Sequence, residues 1–195
     1  MTKQTIREAR KAKQRKSRVR NMLIWGGLGL VVVVVVGILV WNAIRPAAGD
    51  AIPVLSSEHV ADNQPLGAFI GDPPTSGDHY ANNLPADFYH EGDLARLPSN
   101  PEGYLIHNLE HGYSIFWYNC ELLDETGCGV LKGQIQTVMD EFNGFKLIAF
   151  PWTTSEVPLI MTSWGRMQKF DAFSAEEARQ FITRNRNRAP EPNAP

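Results

Sequence analysis

Cysteine is scarce in this chain, and no internal repeat is evident. Among its 195 residues only Cys120 and Cys128 are cysteines. Their spacing is too wide for a C-x-x-C redox motif, and metal ligation by the two thiolates is the minor alternative. In an oxidising compartment such a pair most often forms a structural disulfide, which is the pairing we predict.

Acidic residues are almost absent from the first 45 positions. Glu8 stands alone there against ten Lys and Arg residues, nine of them between residues 3 and 20. The other 20 of the 21 Asp and Glu residues follow Arg45, so the rest of the chain carries a net charge of about −11. An acidic domain binds nucleic acid poorly, and the basic segment directly precedes an apolar run. We therefore expect no nucleic-acid partner.

Charge is missing altogether from residues 21–44, which include six consecutive valines. As a helix these 24 residues would extend about 36 Å, enough for a bilayer core of roughly 30 Å. The run exceeds the 7 to 15 apolar residues of a signal peptide, and Trp41, Asn42 and Arg45 stand at its end in place of small residues. We predict a single-pass anchor in the cell membrane, with the basic residues 1–20 in the cytoplasm and the C-terminal domain outside.

The remaining chain predicts an α+β domain with a small, mainly antiparallel sheet. Residues 45–58 read as a linker, residues 59–188 as the extracytoplasmic domain, and residues 189–195 as a Pro-rich disordered tail. One intervening and one C-terminal helix are expected, the second starting at a capping box at Ser174. Apolar runs predict strands, and apolar spacing predicts the first helix; the strands are residues 103–107, 113–119, 146–151 and 158–164, and the helices are residues 130–142 and 174–187.

The best candidate for chemistry is the segment from His107 to His111, which holds two of the five histidines and Glu110. As one continuous strand it would separate the two imidazoles by roughly 13 Å, too far to share an ion. A hairpin turn at residues 108–110 would bring them to about 5 Å, and a single helical turn would also bring i and i+4 together. We leave both geometries open.

A second histidine-bearing segment is a Pro-fixed loop that ends at His79 and Tyr80. Together these segments resemble the bacterial domain of unknown function 3105 family, over roughly residues 55–185. The resemblance implies one N-terminal anchoring helix but no established activity. It rests on three motifs, which are Pro73-Pro74-Thr75-Ser76-Gly77-Asp78-His79-Tyr80, Ile106-His107-Asn108-Leu109-Glu110-His111-Gly112 and Ser163-Trp164-Gly165-Arg166.

Metal binding is the first functional hypothesis. Three imidazoles from two segments suit zinc or copper, and Glu110 would be a fourth ligand, a partner that orients a ring, or a general base. We predict the metal ligands His79, His107, His111 and Glu110, with further support from Tyr80, Met161 and Met167; a methionine thioether would favour copper. His59 is expected to be a solvated loop residue, and both His59 and His90 should matter far less for binding.

Two alternatives remain open. The letters H-x-x-E-H match an inverted zincin motif and would suit a metal-assisted hydrolase. That motif requires a long helix, whereas β-forming residues surround this one, so we expect a binding protein and not an enzyme. A metal-free structural module, with a protein partner in the cell envelope, is the other reading.

Overall fold

A computed structural model describes the backbone of residues 3–194 and the side chains of Arg18, residues 21–41 and residues 44–194. The chain forms two compact units, which divide between Arg45 and Pro46. The first unit is helix α1, Lys3–Ile44. Its segment Asn21–Trp41 has a mean hydropathy of 2.8 and is long and apolar enough to cross a membrane, which confirms that part of the prediction.

The second unit is built on a five-stranded sheet. Its strands are β1 (Asp50–Ala51), β4 (Ser114–Tyr118), β5 (Leu147–Pro151), β6 (Leu159–Ser163) and β7 (Arg166–Phe170), and a separate parallel pair joins β2 (His59–Val60) to β3 (His79–Tyr80). The strand order in the sheet is β1-β7-β6-β4-β5, and all neighbouring strands are antiparallel except the parallel pair β4 and β5. The predicted α+β class with a mainly antiparallel sheet is therefore confirmed.

Both faces of the sheet are covered by other elements. Alternate residues of each strand point to opposite faces, so each strand contributes to two separate apolar clusters. From β4, Phe116 and Tyr118 pack against helix α3 (Glu125–Glu141) and helix α4 (Ala175–Asn185). Ile115 and Trp117 point the other way and join a second cluster with residues of α2 (Pro101–Glu110) and β3. The candidate chemistry therefore lies in the layer opposite α3 and α4.

Helix α2 replaces the strand that we predict at residues 103–107, so that prediction is wrong. All eight residues 103–110 are buried, including the polar His107, Asn108 and Glu110. The polar residues therefore mark no solvent-facing side, and the short apolar run before them cannot be told from a buried strand. Gly103 permits close packing, because a Cβ there would lie 2.5 Å from the Tyr80 ring.

Other boundaries also differ from the prediction. The strands at residues 113–119, 146–151 and 158–164 and both helices are present, but α3 begins five residues early, where the Asp124 side chain accepts a hydrogen bond from the Gly127 amide. Ser174 caps α4 by accepting from the Glu177 amide. The predicted linker contributes the edge strand β1, and the predicted disordered tail is hydrogen-bonded to the domain. Cys120 and Cys128 form the predicted disulfide, with their Cα atoms 5.2 Å apart.

Candidate metal centre

Two local structures assemble the histidines. The parallel register of β2 and β3 sets His59 directly opposite His79, with ring centroids 4.7 Å apart. His107 on α2 and His111, which caps the C-terminal end of this helix, lie one turn apart, and their Nε2 atoms approach to 2.8 Å. The ring centroids of His79 and His107 are 5.1 Å apart, which joins the two structures. Of the two geometries left open by the sequence, the helical turn is the one adopted.

Main-chain carbonyls fix the orientation of two of these rings. The Nδ1 atom of His79 donates to the Gly77 carbonyl oxygen at 2.9 Å, and that of His107 donates to the Tyr80 carbonyl oxygen at 2.6 Å. A carbonyl oxygen only accepts hydrogen bonds, so each Nδ1 must carry the proton. In the neutral form each ring therefore turns the lone pair of its Nε2 atom into the cluster, which is the arrangement of a metal-ligating histidine.

Glu110 is the carboxylate of the cluster and is only 6% exposed. Its Oε2 atom lies 2.9 Å from Nε2 of His79 and 3.8 Å from Nε2 of His59. Its other oxygen accepts a hydrogen bond from the Ser57 hydroxyl at 3.2 Å. Within the part of the chain that the structure describes, the ion pairs of Glu110 are with these histidines and with no Lys or Arg. A buried carboxylate requires a cation nearby, either a protonated imidazole or a metal ion.

His111 is the fourth histidine of the cluster and contacts His107. Because the proton of His107 is on Nδ1, His111 must donate through its own Nε2 if the 2.8 Å contact is a hydrogen bond. The Nε2 atom of His111 is also 3.6 Å from the Glu191 carboxylate. The sequence offered no signal for Glu191, which stands in the Pro-rich tail.

Burial favours the neutral form of His107. Desolvation lowers the pKa of this imidazole, and the neighbouring imidazoles of His111, His79 and His59 lower it further, while the bond to the Tyr80 carbonyl opposes them. A lowered pKa favours the unprotonated ring, which is the form that binds metal.

The structure joins the four predicted ligands by pairwise contacts, Glu110 to His79 and His111 to His107, but only His79 and His107 of the four belong to the group of mutually close donor atoms. It also corrects the interpretation of His59 as a solvated loop residue: one nitrogen each of His59, His79 and His107 lie within 4.8 Å of one another. Sequence reasoning missed His59 because a two-residue strand has no readable periodicity. His90, in contrast, is exposed and stacks on Phe88, as expected for a residue outside the site.

The structure gives the side chains of the three predicted supporting residues, Tyr80, Met161 and Met167, other contacts. Tyr80 acts through its main-chain carbonyl, while its hydroxyl donates to Gln64. Met161 belongs to the core on the opposite face of the sheet, with α3 and α4, and so does not support a thioether contribution. Met167 packs in the apolar cluster beneath α2, close to Gly71.

These features define a mixed helix and sheet domain that carries a buried cluster of histidines around one glutamate, preceded by a helix able to cross a membrane. The family described as Protein of unknown function (DUF3105) matches residues 59–195. The chain belongs to this family, in agreement with the resemblance seen in the motifs. No curated protein and no solved structure matches it.

Proposed function

We propose that this protein is a single-pass membrane protein whose extracytoplasmic domain binds one transition-metal ion, zinc or copper, through the histidine cluster. The observation that carries the proposal is the convergence of lone-pair atoms. Nε2 of His79 and Oε2 of Glu110 are both acceptors when His79 is neutral, yet they lie 2.9 Å apart. Such a pair repels unless a proton or a metal ion lies between the two atoms.

The donor set favours zinc or divalent copper over other ions. Imidazole nitrogen suits both metals, and a carboxylate oxygen is a common companion ligand of zinc. Ligands of one zinc ion lie about 2.0 to 2.2 Å from it, so donor atoms within 4.8 Å of one another need only a small adjustment. His59 can supply it, because its side chain is 50% exposed.

The proposed topology places this site outside the cytoplasm. The basic residues before the apolar segment favour a cytoplasmic N-terminus. The disulfide supports an oxidising compartment for the following domain. A domain held there would meet metal ions without a cytosolic carrier.

The test is a titration of the full-length protein in detergent, freed of metal by a chelator, with Zn²⁺ and with Cu²⁺. Loss of one ligand should weaken binding by at least about tenfold. We therefore expect this loss for His→Ala variants at His59, His79, His107 and His111. His90→Ala is the matched control, since His90 lies outside the cluster, and it should bind as the wild type does.

Absence of binding by the wild type would refute the proposal. The cluster would then be a protonated histidine paired with Glu110, and the domain would be a metal-free module of the cell envelope that acts through a protein partner. Equal binding by all five histidine variants would also refute it, because the ion would then be held elsewhere.

A metal-assisted hydrolase is the second candidate. The observation in its favour is that H-x-x-E-H lies on a helix, with His107 and His111 facing one another across one turn. Glu110, however, is engaged by Ser57 and His79 and is buried, which limits its use as a base toward a bound water. Turnover of a substrate that is lost in Glu110→Gln while metal remains bound would favour the hydrolase over the carrier.

A further inference from the structure

Residues 190–194, here called the C-terminal strap, cross the C-terminal end of α2 next to the histidine cluster. The Glu191 amide donates to the Glu110 carbonyl oxygen at 3.1 Å. Lys146 donates from Nζ to the carbonyl oxygens of Pro192 and Ala194, each at 2.9 Å. The strap is therefore hydrogen-bonded at three of its five residues.

Lys146 ties the strap to the helix that carries the site. It is only 6% exposed, and its Nζ also donates to the His111 carbonyl oxygen at 2.8 Å. A buried ammonium is costly unless its hydrogen bonds are made, and here all three of these partners are main-chain carbonyls. One cation thus holds the end of α2 and the strap in fixed proximity.

The path of the chain into the strap is also constrained. Gly112 has φ +85°, and a Cβ at this position would lie 2.7 Å from the Cα atom of Asn187. The Asn187 amide donates to the Gly112 carbonyl oxygen at 2.9 Å. The segment that follows α4 therefore packs directly against the residue after His111. Pro190 and Pro192 flank Glu191 and restrict its backbone.

This path brings the Glu191 carboxylate to 3.6 Å from Nε2 of His111. That separation is too long for a hydrogen bond. It matches two ligands of one ion, because bonds of about 2.1 Å in tetrahedral geometry set donor atoms about 3.4 Å apart. The Glu191 side chain is 56% exposed, so it lies on the solvent side of His111.

We propose that Glu191 is a further metal ligand, which pairs with His111 and covers the His111 side of the cluster, so that the docked strap slows exchange of the ion. The inference rests on the proposed function, since it assigns a ligand and a route of exchange to the same site. A carboxylate on a removable segment would make release of the ion depend on undocking of the strap as well as on the histidines.

The experiment uses the full-length protein in detergent, loaded with Zn²⁺ and then mixed with excess EDTA, with the rate of zinc release as the readout. We expect release to be about 10 to 100 times faster for Glu191→Gln. A chain that ends at Ala189, and so lacks the strap, should behave likewise. Glu121→Gln is the matched control; this exposed glutamate follows the end of β4 opposite to the one that adjoins His111, and release should equal that of the wild type.

Glu191→His separates ligation from a purely electrostatic effect, because imidazole can bind zinc but carries no negative charge. Slow release in Glu191→His would support ligation, whereas release as fast as in Glu191→Gln would refute it. If the wild type holds zinc through its histidines but Glu191→Gln releases it at the control rate, only this inference fails. If the wild type binds no zinc, the proposed function fails with it.

Discussion

Replacement of Gly103 by alanine tests whether α2 packs on β3 as closely as the structure requires. A Cβ at this position would lie 2.5 and 2.6 Å from two ring carbons of Tyr80 and 3.0 Å from Leu66. The ring cannot swing away freely. It is fully buried and packs on Tyr104, and its hydroxyl donates to Gln64. Either the ring or the helix must therefore move.

Two opposing terms decide the sign of the effect. Glycine to alanine in a helix gains up to about 1 kcal/mol from backbone propensity. Overpacking of a filled core costs about 1 to 3 kcal/mol, and contacts with two atoms of a pinned ring belong in the upper part of that range. We therefore expect Gly103→Ala to lower the free energy of unfolding by about 1 to 2 kcal/mol.

Gly133→Ala in α3 provides the matched control, because Gly133 is exposed and a Cβ there meets nothing within 4 Å. Only the propensity term applies, so we expect a gain of about 0.5 to 1 kcal/mol. Urea unfolding of the full-length protein in detergent, followed by near-ultraviolet circular dichroism, measures both variants. If Gly103→Ala is as stable as the wild type or more so, the close approach of α2 to Tyr80 is refuted.

Three further predictions concern the disulfide, the alkaline limit of stability and the membrane topology. Replacement of Cys120 and Cys128 by serine opens a nine-residue loop and should cost about 2 to 3 kcal/mol in urea unfolding; an unchanged midpoint would contradict it. Burial raises the pKa of Tyr89 from 10.0 to about 12, so the folded state favours the neutral phenol. The contribution of the neutral phenol to the free energy of unfolding is therefore lost as pH rises from about 10 to 12. Tyr89→Phe should flatten this decline, and a slope equal to that of the wild type would count against it. Protease added to intact spheroplasts should digest the C-terminal domain, whereas protection of that domain would rule out the proposed topology.

Much of the fold could be predicted because its elements carry local signals. The strands β4, β5 and β6 are short apolar runs between turn residues, and α4 begins at a serine that caps it. Helix α2 could not be predicted in this way, since its polar residues are buried together with its apolar ones and so do not mark a solvent-facing side. Strand β7, Arg166–Phe170, is short, lies directly after a glycine, and has the adjacent polar residues Gln168 and Lys169, which interrupt the alternation typical of a strand.

The residues of the candidate site also fall into those that the sequence indicates and those that it does not. His107, Glu110 and His111 are neighbours in the chain, so their clustering can be read directly. His59 reaches the site only through its pairing with His79, 20 residues away, and Glu191 reaches it only because Lys146 and Gly112 hold the strap. Contacts between distant segments depend on packing, which no local pattern reports.

The restraints on His79 and His107 come from the backbone, since both rings donate to main-chain carbonyl oxygens, of Gly77 and Tyr80. Every amino acid supplies such an oxygen, but Gly77 has φ +133° and a Cβ there would lie 3.3 Å from the Phe69 ring, so the path of the loop depends on glycine at this position. The aim of the two imidazoles thus depends on the path of the backbone between Gly77 and Tyr80, and it is vulnerable to insertions or deletions there. Shortening this loop by a single residue would disorient the rings while leaving every histidine in place.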